Sequence, residues 1–135
     1  ETSQNTEETD SQTGGTILLA EDSAFFRGQI KKIIEQAGYS VIEANDGKNA
    51  LSRLQESKTK INLVLTDIEM PNMNGFELTR NIKSNDRFSE IPVIALTTLA
   101  GDEDRRKGEE AGINDYQLKL DKEKLLNSIS NLIKK

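Results

Sequence analysis

Five short aliphatic runs, each separated from the next by a stretch with apolar residues three and four apart, constrain this chain more than any other feature. Thr16 to Ala20, Tyr39 to Ala44, Ile61 to Thr66, Pro92 to Thr97 and Asp115 to Leu118 read as strands. Strict alternation of strand and helix with short loops predicts a parallel sheet covered by helices on both faces through right-handed crossovers. Leu63-Val64-Leu65 then belongs to a buried central strand.

Ser23 caps the first predicted helix, whose Phe26, Ile30, Ile33, Ile34 and Ala37 share one face. Asp46 caps a second with Ala50, Leu51 and Leu54, Asn74 a third with Phe76, Leu78 and Ile82, and Asp121 a last one with Leu125, Leu126, Ile129, Leu132 and Ile133. The fourth connection, Gly101 to Gly112, carries eight charged residues and one apolar side chain, Ala111. So little burial predicts a marginal, mobile element there.

Residues 1–14 contain no aliphatic or aromatic side chain and cannot offset the entropy of ordering, so they read as a disordered linker, with residues 15–135 as the single folded domain. The chain opens on Glu1 without a methionine, as expected of a piece excised from a longer polypeptide with its tether attached. With 23 acids against 18 bases, net charge -5, clustered cations for a nucleic-acid backbone are not expected. The sequence has no cysteine and no histidine, which excludes disulfides, thiolate zinc sites and every Ser-His or Cys-His arrangement. It has no run of about 18 apolar residues and no leader, so no membrane span is expected and the expected location is cytoplasmic.

In open parallel α/β sheets, functional groups gather beyond the carboxyl ends of the strands. Glu21 and Asp22 follow the first strand, Asp67 ends the third, Thr97 and Thr98 end the fourth and Lys119 ends the fifth. Carboxylates brought together repel, which favours a hard cation, and a small oxygen cluster that keeps several waters suits Mg2+. With a cation present, Asp67 can attack phosphorus to form an aspartyl phosphate while Lys119 neutralises and Thr97 donates to the phosphoryl oxygens. Two other readings stay open. A small Mg2+-dependent phosphohydrolase would use the same chemistry, and Asp67-Ile68-Glu69 imitates its acid-x-acid signature, although no long insertion offers a lid. An interaction module that keeps the fold without being phosphorylated is the third.

Ile17-Leu18-Leu19-Ala20-Glu21-Asp22, Leu63-Val64-Leu65-Thr66-Asp67-Ile68-Glu69-Met70-Pro71-Asn72-Met73-Asn74-Gly75, Ile94-Ala95-Leu96-Thr97-Thr98 and Tyr116-Gln117-Leu118-Lys119 stand in the order and spacing of a known family. The chain resembles the receiver domain of two-component response regulators over about residues 15 to 135. The resemblance implies a doubly wound, flavodoxin-like α/β fold, five parallel strands in the order 2-1-3-4-5 with five helices. It implies phosphorylation at Asp67, Mg2+ held by Glu21, Asp22, Asp67 and the backbone carbonyl of Glu69, and phosphoryl contacts from Thr97 and Lys119. It also implies a switch in which Thr97 is drawn to the phosphoryl group and Tyr116 turns inward. In the loop after Asp67, Pro71 is expected to fix the turn and Gly75 to free the next helix start.

The family commonly has a proline after the lysine, whereas Lys119 is followed by Leu120. A cis bond to a residue other than proline costs about 2.5–4 kcal/mol, so a trans bond is expected. Thr97-Thr98-Leu99-Ala100-Gly101 with Lys119-Leu120-Asp121 resembles receivers appended to chemotaxis histidine kinases or coupling-protein scaffolds. The expected partners are the phosphotransfer domain of a histidine kinase and chemotaxis coupling proteins, and the domain itself is expected to be monomeric and to act as a switch or a phosphate sink. It would catalyse its own phosphoryl transfer without turning over a separate substrate.

Overall fold

The computed structural model describes residues 14–97, 102–119 and 121–133, and for 102–105 the backbone alone. The elements run β1 (Thr16–Ala20), α1 (Ala24–Gln36), β2 (Ser40–Ala44), α2 (Gly47–Glu56), β3 (Leu63–Asp67), α3 (Gly75–Lys83), β4 (Val93–Thr97), α4 (Asp102–Ala111), β5 (Asp115–Leu118) and α5 (Lys122–Ile133). Every strand pairing is parallel and the order is β2-β1-β3-β4-β5. The expected five-stranded, doubly wound architecture is what the chain adopts.

Side chains alternate along a strand, so each interior strand feeds two layers. Ile17, Leu19, Leu63, Leu65, Ile94 and Leu96 pack with Ile30 and Ile34 of α1 and Leu125 and Ile129 of α5. Leu18, Ala20, Val64, Val93 and Ala95 pack on the other face with Ala50 and Leu54 of α2 and Leu78 and Ile82 of α3. Leu63, Val64 and Leu65 are completely buried, as a central parallel strand requires. Each such aliphatic side chain contributes about 1.5–3 kcal/mol by leaving water.

The expected caps form. Ser23 Oγ accepts from Phe26 N, Asp46 Oδ1 from Asn49 N and Asp121 Oδ1 from Lys124 N. Asn74 makes a reciprocal box in which Asn74 Oδ1 accepts from Glu77 N while Glu77 Oε1 accepts from Asn74 N. Gly101 to Gly112 does hold a helix, α4, which packs beside α3 and buries Gly108 and Ala111.

Several expectations need correction. Tyr39, Ile61 and Pro92 precede their strands, because they pack as partly or fully buried residues before the ladder begins. Ala37 is exposed at the end of α1, past the last turn that faces the core. Gly75 has no left-handed backbone, so conformational freedom is not its purpose; the left-handed residue of this loop is Asn72, with φ 69°. Gly75 is required for space, since a Cβ there would overlap the carbonyl oxygen of Asp67. The linker up to Thr13, the tract Thr98–Gly101 and the Lys119–Leu120 bond lie outside the described residues.

At the amino edge of the sheet, Thr16 N donates to Asn62 Oδ1 at 2.9 Å. There Leu132 and Ile133, the last turn of α5, line a groove with Ile61, Asn62 and Pro92. Among the described residues no helix is long and apolar enough to cross a membrane.

The close approach of α3 to β3 predicts that Gly75→Ala destabilises the fold by about 1–3 kcal/mol, read as a lower urea midpoint. Gly28→Ala, in the exposed middle of α1 where a Cβ meets nothing, should stabilise the fold by about 0.5–1 kcal/mol and raise the midpoint.

Candidate functional site

At the carboxyl edge, β1 delivers Glu21 and Asp22, β3 ends on Asp67, β4 ends on Thr97 and Lys119 follows β5. The sheet order makes these one site, because β1, β3 and β4 are neighbours and β5 flanks them. Glu21 is completely buried, Asp67 and Lys119 nearly so, and Asp22 is exposed.

Backbone groups fix the acids. Ile68 N donates to Asp67 Oδ1 at 2.8 Å and Ser23 N to Glu21 Oε2 at 3.1 Å. Arg27 Nη1 donates to the carbonyl oxygen of Glu21 at 2.8 Å, and Arg27 Nε pairs with Glu43 at 3.3 Å. Lys119 Nζ lies 2.9 Å from Glu21 Oε1, 3.3 Å from Asp67 Oδ2 and 4.6 Å from the centroid of the Phe26 ring. Its backbone N–H donates to Thr97 O at 2.9 Å, which ties the ends of β4 and β5.

Burial, and after it the charge of Glu21, push the Asp67 carboxyl up from 3.8 to about 6, against the pull of Lys119 and the Ile68 N–H. For Lys119, burial works against the ammonium, but contact with Glu21 and the charges of Asp67 and Glu21 outweigh it and hold the amine above its ordinary value.

One carboxylate oxygen from each of Glu21, Asp22 and Asp67 lies within 4.8 Å of the others. This all-oxygen set fits a hard divalent cation. Glu21 Oε1 reinforces the fit: it touches Lys119 as an ion pair but accepts no well-formed hydrogen bond, so a buried charged oxygen keeps spare capacity.

Of the residues expected from sequence, Glu21, Asp22, Asp67 and Lys119 converge. Thr97 stands half-buried at the end of β4, and the Glu69 side chain is exposed beyond β3 and outside the carboxylate cluster. Tyr116 sits on β5 beside Ala95, already inward and buried, with its hydroxyl seated where a side chain on Gly108 would be. Sequence reasoning missed Arg27, the second duty of Ser23 and the contact of Phe26 with Lys119. Their signal was position alone, within the first turns after the acidic pair.

A family model of the response regulator receiver domain matches residues 17–130. Chemotaxis protein CheY1 of Helicobacter pylori is 36% identical over 104 residues, covering 76% of this chain and 83% of that protein. Sensor histidine kinase CheAY of the same organism is 31% identical over 114 residues, or 84% of this chain, yet the chain spans only 14% of that kinase. Among solved structures, the receiver domain of a sensor histidine kinase from Pseudomonas aeruginosa PAO1, with a magnesium ion coordinated in its active site cleft, superposes with TM-score 0.80 at 29% identity, covering 89% of this chain and 98% of that one.

The raised Asp67 carboxyl sets a pH dependence. Its folded form holds a proton more tightly than its unfolded form, so the associated stability is complete below about pH 4 and is lost as pH rises through about 6. In EDTA, Asp67→Asn should therefore be more stable than the parent at pH 7 by about 1–2 kcal/mol, below the ~3 kcal/mol of a two-unit shift because water screens this edge. Urea midpoints of the two proteins should converge by pH 4.

Proposed function

This chain belongs to the response regulator receiver domain family of two-component signalling, and on that footing we propose that Asp67 accepts a phosphoryl group from the phosphohistidine of a kinase. The observation that carries the proposal is the convergence of Glu21, Asp22, Asp67 and Lys119 on one edge of the sheet. An Asp67 oxygen attacks phosphorus, an O–P bond forms as the P–N bond of the donor breaks, and the imidazole nitrogen leaves with the electron pair and takes up a proton. The donor histidine lies elsewhere, since this chain has none.

Mg2+ is the cation we assign to the cluster, held by Glu21, Asp22, Asp67 and the backbone carbonyl of Glu69; when bound it neutralises charge on the phosphoryl oxygens. Lys119, in contact with Glu21 and Asp67, supplies the second positive charge, and the Thr97 hydroxyl donates to a phosphoryl oxygen. Tyr116, packed between β4 and α4, is the side chain through which a shift of Thr97 reaches α4.

Relatedness to a chemotaxis protein and to a segment of a sensor histidine kinase supports a place in a chemotaxis phosphorelay. We assign it as a cytoplasmic receiver tethered to a histidine kinase, partnered by that kinase's phosphotransfer domain and by coupling proteins, and acting as switch or phosphate sink.

Incubated with Mg2+ and acetyl phosphate, the parent should gain one phosphoryl group by intact mass and Asp67→Asn none. A parent that folds and binds Mg2+ but gains no mass would instead be a module that signals by contact, and steady hydrolysis of a phosphomonoester would make it a phosphohydrolase. Asp22→Asn should weaken Mg2+ binding about tenfold or more in a fluorescence or calorimetric titration, as expected when a ligand charge is lost; an unaltered titration would remove Asp22 from the set.

A further inference from the structure

Phe26 packs, partly buried, against the core layer of α1 and α5, and that packing does not account for the ring face turned toward the site. That face lies under Lys119 Nζ, 4.6 Å from the ring centroid, while Phe25 meets the ring edge-on at 5.4 Å and 74°. Lys119 thus has three seats: Glu21 Oε1, Asp67 Oδ2 and the negative face of an aromatic ring.

Two of those seats are contested. Glu21 Oε2 is occupied by the Ser23 N–H, which is fixed by the start of α1, so Oε1 is the oxygen that a divalent cation would take, and it is the one Lys119 now touches. Asp67 likewise belongs to the carboxylate cluster. A ring face carries no formal charge and ligates no hard cation, so it is the one seat that cation binding does not withdraw.

We propose that Phe26 is a positioning residue for Lys119, holding the ammonium over the site when a divalent cation takes Glu21. The inference rests on the acceptor reading of Asp67 for its consequence, but the seat itself does not. Four free-rotating methylenes would otherwise let the amine drift toward water, and positioning of the charge that meets the phosphoryl oxygens would be lost.

The test has two readouts. In the parent, the ε-methylene protons of Lys119 should be shifted upfield by the ring, and the shift should persist through a titration with Mg2+; Phe26→Leu should abolish it. Phosphorylation by acetyl phosphate should slow about fivefold in Phe26→Leu, the scale of a partly desolvated cation–ring contact, and recover in Phe26→Tyr and Phe26→Trp. In a Lys119→Ala background, Phe26→Leu should cause no further slowing.

Loss of the upfield shift as Mg2+ binds overturns the proposal, as does an equal rate penalty in the Lys119→Ala background, which would mark Phe26 as packing alone. A parent that takes no phosphoryl group, yet keeps the upfield methylene through the titration, loses the acceptor reading and keeps the seat.

Discussion

Lys119 Nζ stands between Glu21 and Asp67, and without that positive charge two buried carboxylates would face each other with little water to separate them. Desolvation already drives the Asp67 carboxyl to about 6, so the lysine offsets only part of the cost. Three backbone devices hold the arrangement: the Ile68 and Ser23 amides on the acids and the Lys119 amide on Thr97. Backbone donors thus fix Glu21 and Asp67, the two buried members of the carboxylate cluster.

The sheet makes that concentration of charge possible. Parallel strands deliver all their carboxyl ends to one edge, and two apolar layers hold those ends in register. Gly75 shows how tightly the layers and the site are joined, since α3 starts in contact with the carbonyl of Asp67. Core packing and site geometry are therefore one problem in this molecule.

Much of this was legible in the sequence because period and capping are local. The four caps, at Ser23, Asp46, Asn74 and Asp121, depend on residues three apart, and Leu63-Val64-Leu65 announced a buried strand by composition. Glu21, Asp22, Asp67 and Lys119 were legible because the ends of strands in this architecture have a known destination. What was not legible depends on approach in space. Ile61 and Pro92 are as apolar as the strands they precede, so only pairing shows where the ladder starts. Gly75 read as freeing the start of a helix because sequence cannot show a carbonyl pressed against it. Phe26 read as core because it does pack there, and its contact with Lys119 has no signature in spacing.

The amino edge has its own consequence. β1 enters beside Asn62, and α5 returns to the same edge, ending at Ile133 among Ile61, Asn62 and Pro92. Both described ends of the chain are thus about one strand length away from the acidic edge, roughly 17 Å for five residues. The described chain enters and leaves at the edge of the sheet opposite the acidic cluster. In engineering terms, splice points at these two ends lie across the length of the sheet from the carboxylate cluster.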